Sequence, residues 1–183
     1  MQTDVKPYWW GPALGGAPTL DLAAEVVQLR EDSPSAREDG SVIGAARMTT
    51  TRVASVIPHS AADLQQQTGL ALNLQSMWLN TYTEGDFAAL HVDRPDAVLT
   101  GLLAVGHVTE PLVVCPELIA LNSADLLELA ALEPFPRGES LTLSADRFLF
   151  LRGAAVPHHR PPVNVTSQVL TVTFAPKVAR GGQ

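Results

Sequence analysis

The chain has 183 residues, 46% of them hydrophobic, and 12 basic against 19 acidic side chains leave a formal net charge of −7 at pH 7. That length makes one domain with a real core, and an acidic balance without any cluster of Lys and Arg excludes a sequence-independent phosphate-binding surface, so nucleic acid is not an expected partner. Apolar stretches such as Ala97 to Val105 and Leu126 to Leu132 fall far short of the roughly 20 residues that cross a bilayer. Met1 to Trp10 lacks the basic and apolar regions of a secretion signal, and the single cysteine, Cys115, cannot form an internal disulfide. A cytoplasmic protein outside the membrane is the expectation.

Fourteen prolines and thirteen glycines cut the chain into brief segments and favour a β-rich architecture. After an irregular start through Pro7, Pro12 and Pro18, the spacing of Leu22, Val26 and Leu29 predicts a helix over Leu20 to Arg30, with Thr19 at its cap. A polar loop from Glu31 to Gly40 leads into the β-leaning Ser41 to Ile57, and Ser60 caps a short helix, Ala61 to Thr68, that stops at Gly69. From Leu72 the pattern turns to strands: Asn73 to Thr83, Phe87 to Val92, Val98 to Gly106, Leu112 to Cys115, Ser140 to Leu143, Arg147 to Leu151 and Val169 to Phe174. One helix is inserted among them, Ser123 then Asp125 to Leu132, with Leu126, Leu129 and Ala130 on its buried side and Pro134 and Pro136 ending it. Many short strands with turn signals between them predict a sandwich, jelly roll or barrel.

Chemistry concentrates in Asn80 to Asp93, NTYTEGDFAALHVD. Period-2 geometry puts His91 and Asp93 on one face at the end of a strand. A nitrogen and an oxygen donor side by side, joined by a second histidine, make the 2-His-1-carboxylate set that holds Fe(II) with open positions. His59 and His107 stand alone in the sequence, whereas His158 and His159 sit in VPHHRPPV, soon after the strand that ends at Leu151.

With these residues in view, the sequence resembles the 2-oxoglutarate/Fe(II)-dependent dioxygenase superfamily, in particular its small prolyl-hydroxylase-like members. Tyr82, Gly85, His91 and Asp93 fit the family's Tyr-x-x-Gly-x5-His-x-Asp run, and His158, Pro162 and Val163 fit its distal His-x3-Pro-Val. The similarity covers Leu64 to Phe174. The resemblance implies a double-stranded β-helix (a jelly roll, cupin-like) with flanking helices, in which residues 64–174 form the core and residues 1–60 an N-terminal helix and strands of the same single domain. It implies that His91, Asp93 and His158 hold Fe(II), that 2-oxoglutarate and dioxygen are cosubstrates, and that the product is hydroxylated, since an intact Asp93 favours hydroxylation over halogenation. Desaturation or ring formation stays open.

One position departs from the family pattern. The arginine that usually anchors the far carboxylate of 2-oxoglutarate, about ten residues after the distal histidine, is replaced by Gln168. Arg152-Gly153, His158, Arg160 and Gln168-Val169 are similar to another branch, whose distal motif reads His-aromatic-Arg. On an extended segment His158 and Arg160 point to one side and His159 to the other, so Arg160 becomes the candidate anchor, gripping a carboxylate bidentately. Arg152 is the next candidate, and Tyr82 and Gln168 are expected to complete the polar cradle.

Other readings stay open at this level. An iron oxygenase of the same fold that does not use 2-oxoglutarate would explain Gln168. A non-catalytic jelly-roll metal sensor would keep the ligands without the chemistry, and a zinc or manganese cupin would add a further ligand such as His107. Trp9 and Trp10 either close over a substrate or plug the core; Asn164-Val165-Thr166 is read as a chance glycosylation pattern, and Cys115 as a buried structural thiol. No specificity motif marks the first forty residues or Thr109 to Arg137, where a lid would lie, and the small chain favours a small-molecule substrate.

Overall fold

A computed structural model of the chain describes residues 7–12, 35–36, 42–47, 64–65, 68–106 and 110–177. The helix expected over Leu20 to Arg30, the cap at Ser60, and His59 and His107 lie outside the described residues. In chain order the elements are strands β1 (Tyr8–Pro12), β2 (Ser35–Ala36), β3 (Val42–Arg47), β4 (Leu72–Tyr82), β5 (Ala88–His91), β6 (Leu99–Val105) and β7 (Leu112–Val114). Helix α1 (Ser123–Leu132) and strands β8 (Glu139–Leu141), β9 (Arg147–Leu151), β10 (His158–Arg160) and β11 (Ser167–Pro176) follow. Among the described residues no helix is long and apolar enough to cross a membrane.

The strands form two antiparallel sheets, one in the order β1-β9-β6-β11-β4-β3-β2 and the other β5-β10-β7-β8. This is the jelly roll expected from the sequence. Strict alternation distributes the apolar side chains over the faces of the larger sheet: Leu103, Phe148, Phe150 and Val172 belong to one cluster, while Leu102, Ala104, Leu149 and Leu151 face the smaller sheet and meet its Val114. Every residue of β6 is buried, which explains why its sequence reads as a continuous apolar run. A third cluster, Leu90, Val113, Cys115 and Leu126, fixes α1 on the outer side of the smaller sheet. Burial there, and next Glu117, push the Cys115 thiol up to about 11, so it remains an unreactive packing group.

Three boundaries refine the sequence reading. Asn122 caps α1: its side chain accepts from the backbone N–H groups of Ala124 (2.9 Å) and Asp125 (3.0 Å), and Ser123 is the first residue of the helix. The irregular start contains a strand, β1, which lies at the edge among the described residues, where Pro12 is tolerated. Trp9 stacks on Phe150 with ring centroids 5.8 Å apart, and the Arg147 guanidinium lies 4.3 Å from the Trp10 ring, so this aromatic pair covers the core on both faces of the edge. Tyr8 donates a hydrogen bond to Glu139 on β8, which joins the edges of the two sheets and, with burial, pushes the phenol up to about 12. The stop at Gly69 is as expected: it adopts a φ of +69° and its N–H reaches back to the Gln65 carbonyl at 2.8 Å.

Candidate metal centre

Strand pairing brings the two histidines together. β10 lies antiparallel between β5 and β7, and His158 is the direct cross-strand partner of His91, so both imidazoles leave the same face with ring centroids 4.4 Å apart. The pairing shifts register between His158 and Arg160, which faces Ala88. Asp93 follows β5 and is tied down by its own backbone, whose N–H donates to the Gly153 carbonyl at 2.8 Å. His91, Asp93 and His158 each offer a ligand atom within 4.8 Å of the other two.

The hydrogen bonds orient these donors. His91 Nδ1 lies 2.7 Å from the Ala89 carbonyl and His158 Nδ1 2.9 Å from that of Val156. A carbonyl only accepts, so each ring donates from Nδ1, which leaves Nε2 as the nitrogen turned toward the common point. Both Nε2 atoms stand 3.9 Å from the same oxygen, Asp93 Oδ1, while Oδ2 accepts from the Thr100 hydroxyl. Burial first, and then the neighbouring His91, hold the His158 imidazole well below its ordinary pKa, so it stays neutral and ready to coordinate. Two imidazole lone pairs and one carboxylate oxygen around a common point, each fixed by a partner behind it, are the donor set and outer support that a divalent transition metal requires.

Gly153 is part of this geometry. A Cβ there would fall 1.8 Å from Asp93 Oδ2 and 2.8 Å from Thr100 Oγ1, so only glycine lets the carboxylate and hydroxyl occupy their places. Gly153 reaches Asp93 from 60 residues further along the chain, and Thr100 from the start of the next strand, β6.

The donors open into a narrow cleft of about 50 Å³ between the sheets, which Tyr82, Asn80, Arg160 and Thr171 also line. Arg160 is 1% exposed. Its Nη1 donates to the Glu110 backbone carbonyl at 3.2 Å, its Cζ sits 4.9 Å from the Tyr82 ring centre, and it shares a hydrogen bond with Tyr82. Burial lowers the guanidinium pKa, opposed by Tyr82 and Glu110, and an arginine keeps its charge under these conditions. Glu110, itself buried, is clamped by Asn164, whose backbone N–H and side-chain amide both donate to Glu110 Oε1 at 2.9 and 3.1 Å. Sequence reasoning passed over Glu110 and treated Asn164 only as a chance glycosylation pattern.

His91, Asp93, His158, Arg160 and Tyr82 therefore share one cleft, and two other candidates do not. Gln168 lies on β11 between Ser167 and Val169; Val169 and Thr171 line the cleft, and alternation turns Gln168 to the opposite face, where its amide donates to Thr81 Oγ1 at 3.2 Å. Arg152 lines a separate cavity of about 260 Å³ with Leu70, Leu72, Val98 and Leu99, and its buried Nε has no hydrogen-bond partner among the described residues. His159 points away from the cleft, with Nε2 2.8 Å from the Pro136 carbonyl and its ring 5.7 Å from that of Phe135.

No protein-family model and no curated protein sequence matches the chain. Solved structures do match. A Pseudomonas putida prolyl-4-hydroxylase is 13% identical, with a TM-score of 0.66 over 93% of both chains. The 2-oxoglutarate-dependent carbocyclase SnoK of nogalamycin biosynthesis is 13% identical, with a TM-score of 0.73 over 94% of this chain and 80% of that one. The epimerase SnoN of the same biosynthesis is 16% identical, with a TM-score of 0.67 over 94% and 79%. The resemblance read from the sequence thus holds at the level of the fold: the chain has the jelly roll of the 2-oxoglutarate/Fe(II)-dependent oxygenases.

Proposed function

We propose that the protein is an Fe(II)- and 2-oxoglutarate-dependent oxygenase that hydroxylates a small molecule. The observation that carries this reading is the meeting, in one cleft, of a metal-competent His91, Asp93 and His158 set with the buried guanidinium of Arg160. His91, Asp93 and His158 would hold the iron through Nε2, Oδ1 and Nε2. Bound iron, with dioxygen and the keto acid, supplies the oxidation: one oxygen atom enters the substrate and the other enters succinate, with release of carbon dioxide. The chain's own residues supply position and dryness. Arg160 offers a planar fork of donors for the distal carboxylate of 2-oxoglutarate, Tyr82 and the Glu110 carbonyl fix that fork, and Leu102, Leu112 and Val169 line the cleft with apolar surface that excludes water. Neighbours of this fold include an epimerase and a carbocyclase, so the outcome rests on how a substrate is held, and hydroxylation is the outcome proposed here.

The test is succinate formation from 2-oxoglutarate by protein reconstituted with Fe(II) and ascorbate. Turnover is expected in the wild type, and Arg160→Gln should raise KM for 2-oxoglutarate about 10- to 100-fold, the loss of a charge-assisted bond, with partial rescue in Arg160→Lys. Oxygen consumption that does not depend on 2-oxoglutarate would instead establish the oxygenase that does without it.

A further inference from the structure

Arg152, which does not reach the metal cleft, stands at a second site. Alternation along β9 puts Phe148 and Phe150 on one face of the larger sheet and turns Leu149 and Leu151 toward the smaller sheet. One residue further, Arg152 falls on the side of Phe148 and Phe150, where it lines a cavity of about 260 Å³ with Leu72 and Leu99 of the same cluster. That face is the one turned away from the metal cleft. Backbone bonds fix the base of the side chain: the Arg152 N–H donates to the Pro7 carbonyl at 3.1 Å, and its carbonyl accepts from Ala155 and Val156 at 2.8 and 2.9 Å.

Arg94, Arg147 and Arg160 are each engaged: Arg94 pairs with Asp96 at 3.4 Å, Arg147 lies over Trp10, and Arg160 holds the Glu110 carbonyl and Tyr82. Arg152 differs. Its Nε is out of solvent without a hydrogen-bond partner, and no carboxylate among the described residues pairs with its guanidinium. A desolvated donor without an acceptor is costly, and the acceptor that suits a guanidinium best is an anion. Around the cavity the only other polar side chain among the described residues is that of Thr68. Its hydroxyl is already used, donating to the Leu64 carbonyl at 2.6 Å and accepting from the Leu70 N–H at 3.2 Å. Ordered water needs roughly two to four polar partners, which these aliphatic walls do not offer. One cation in an apolar pocket suits a molecule with one negative end and an apolar body.

We propose that this cavity binds a small monocarboxylate, whose carboxylate takes the Arg152 fork while its apolar body lies against Leu70, Leu72, Val98 and Leu99. The volume, just below the roughly 300–1,000 Å³ of drug-sized sites, limits that body to a single ring or a short chain. With no second basic side chain among the lining residues, a phosphate ester carrying nearly two charges is the poorer fit. The proposal goes beyond the oxygenase reading and does not depend on it, because none of the lining residues is a metal donor.

The test titrates 4-fluorobenzoate into the full chain loaded with Zn(II), followed by ¹⁹F NMR. Saturable binding is expected. The uncharged 4-fluorobenzamide should bind at least tenfold more weakly, and 4-fluorophenyl phosphate no tighter than the benzoate. Arg152→Met, which keeps the aliphatic stem and removes the charge, should weaken binding at least tenfold with circular dichroism unchanged, and Arg152→Lys should recover part of it. Leu70→Glu, at a position 42% exposed, brings a competing carboxylate to the mouth and should weaken binding as well. Arg160→Gln should leave it unchanged, which separates this site from the metal cleft. The inference is overturned by the absence of saturable binding, by amide binding as tight as that of the acid, or by tighter binding of the phosphate. Indifference to both Arg152→Met and Leu70→Glu, or loss of binding in Arg160→Gln, overturns it equally. A chain that holds no Zn(II) yet binds 4-fluorobenzoate through Arg152 leaves this site standing and removes the metal reading.

Discussion

The two sheets divide the work unequally. In the larger sheet β4, β6 and β11 run for 11, 7 and 10 residues and pair along most of their length, whereas β5, β7, β8 and β10 of the smaller sheet have 4, 3, 3 and 3 residues. Yet the smaller sheet and its flank hold His91, Asp93, His158 and Arg160, and the larger one supplies apolar core and supporting side chains such as Tyr82 and Thr100. Long apolar strands give stability through area. Short strands let several turns converge on one point, so that backbone carbonyls at Ala89, Val156 and Gly153 can hold the ligands from behind. The separation means that metal binding and stability should respond to different substitutions.

The largest expected break is His158→Ala, which should lower Mn(II) affinity in an EPR titration by more than about 100-fold, beyond the 10- to 100-fold typical of outer-shell changes, with circular dichroism unchanged. Gly153→Ala sharpens the comparison without touching a ligand. Its Cβ must displace Asp93 Oδ2, and a 10- to 100-fold loss of Mn(II) affinity is expected. Leu151→Ala, at a fully buried position of the larger sheet, should cost about 2–5 kcal/mol in denaturant unfolding and leave the Mn(II) affinity of the folded protein intact; a parallel loss of affinity would refute the division. The smallest effect belongs to Asn122→Ala, which removes the α1 cap and should cost about 1 kcal/mol, read as a shift in the urea midpoint with no change at the metal.

Much of this division is legible in the sequence, and the gaps have physical causes. β4, β6 and β9 announce themselves because alternation or continuous apolar character survives over several residues, and the pairing of His91 with His158 follows once the fold is named. β1 and β10 are hidden by Pro and Gly around segments of 5 and 3 residues, too short for periodicity to speak. Counting residues from the distal histidine singles out Gln168, but a strand turns its side chains by parity, and one residue decides between the cleft and the opposite face. Gly153 stood in the sequence only as the neighbour of Arg152, and Thr100 not at all, since what each does depends on meeting Asp93 in space.

The strand order has a consequence for synthesis. β11, the last described strand, lies between β6 and β4, in the interior of the larger sheet, while β1 occupies its edge. As the chain leaves the ribosome, β4 and β6 therefore emerge long before the segment that must sit between them, each with an open hydrogen-bonding edge and apolar side chains in want of cover. The sheet is keyed shut by β11, so a nascent chain halted before Ser167 holds His91, Asp93 and His158 in sequence but has no interior to set them in.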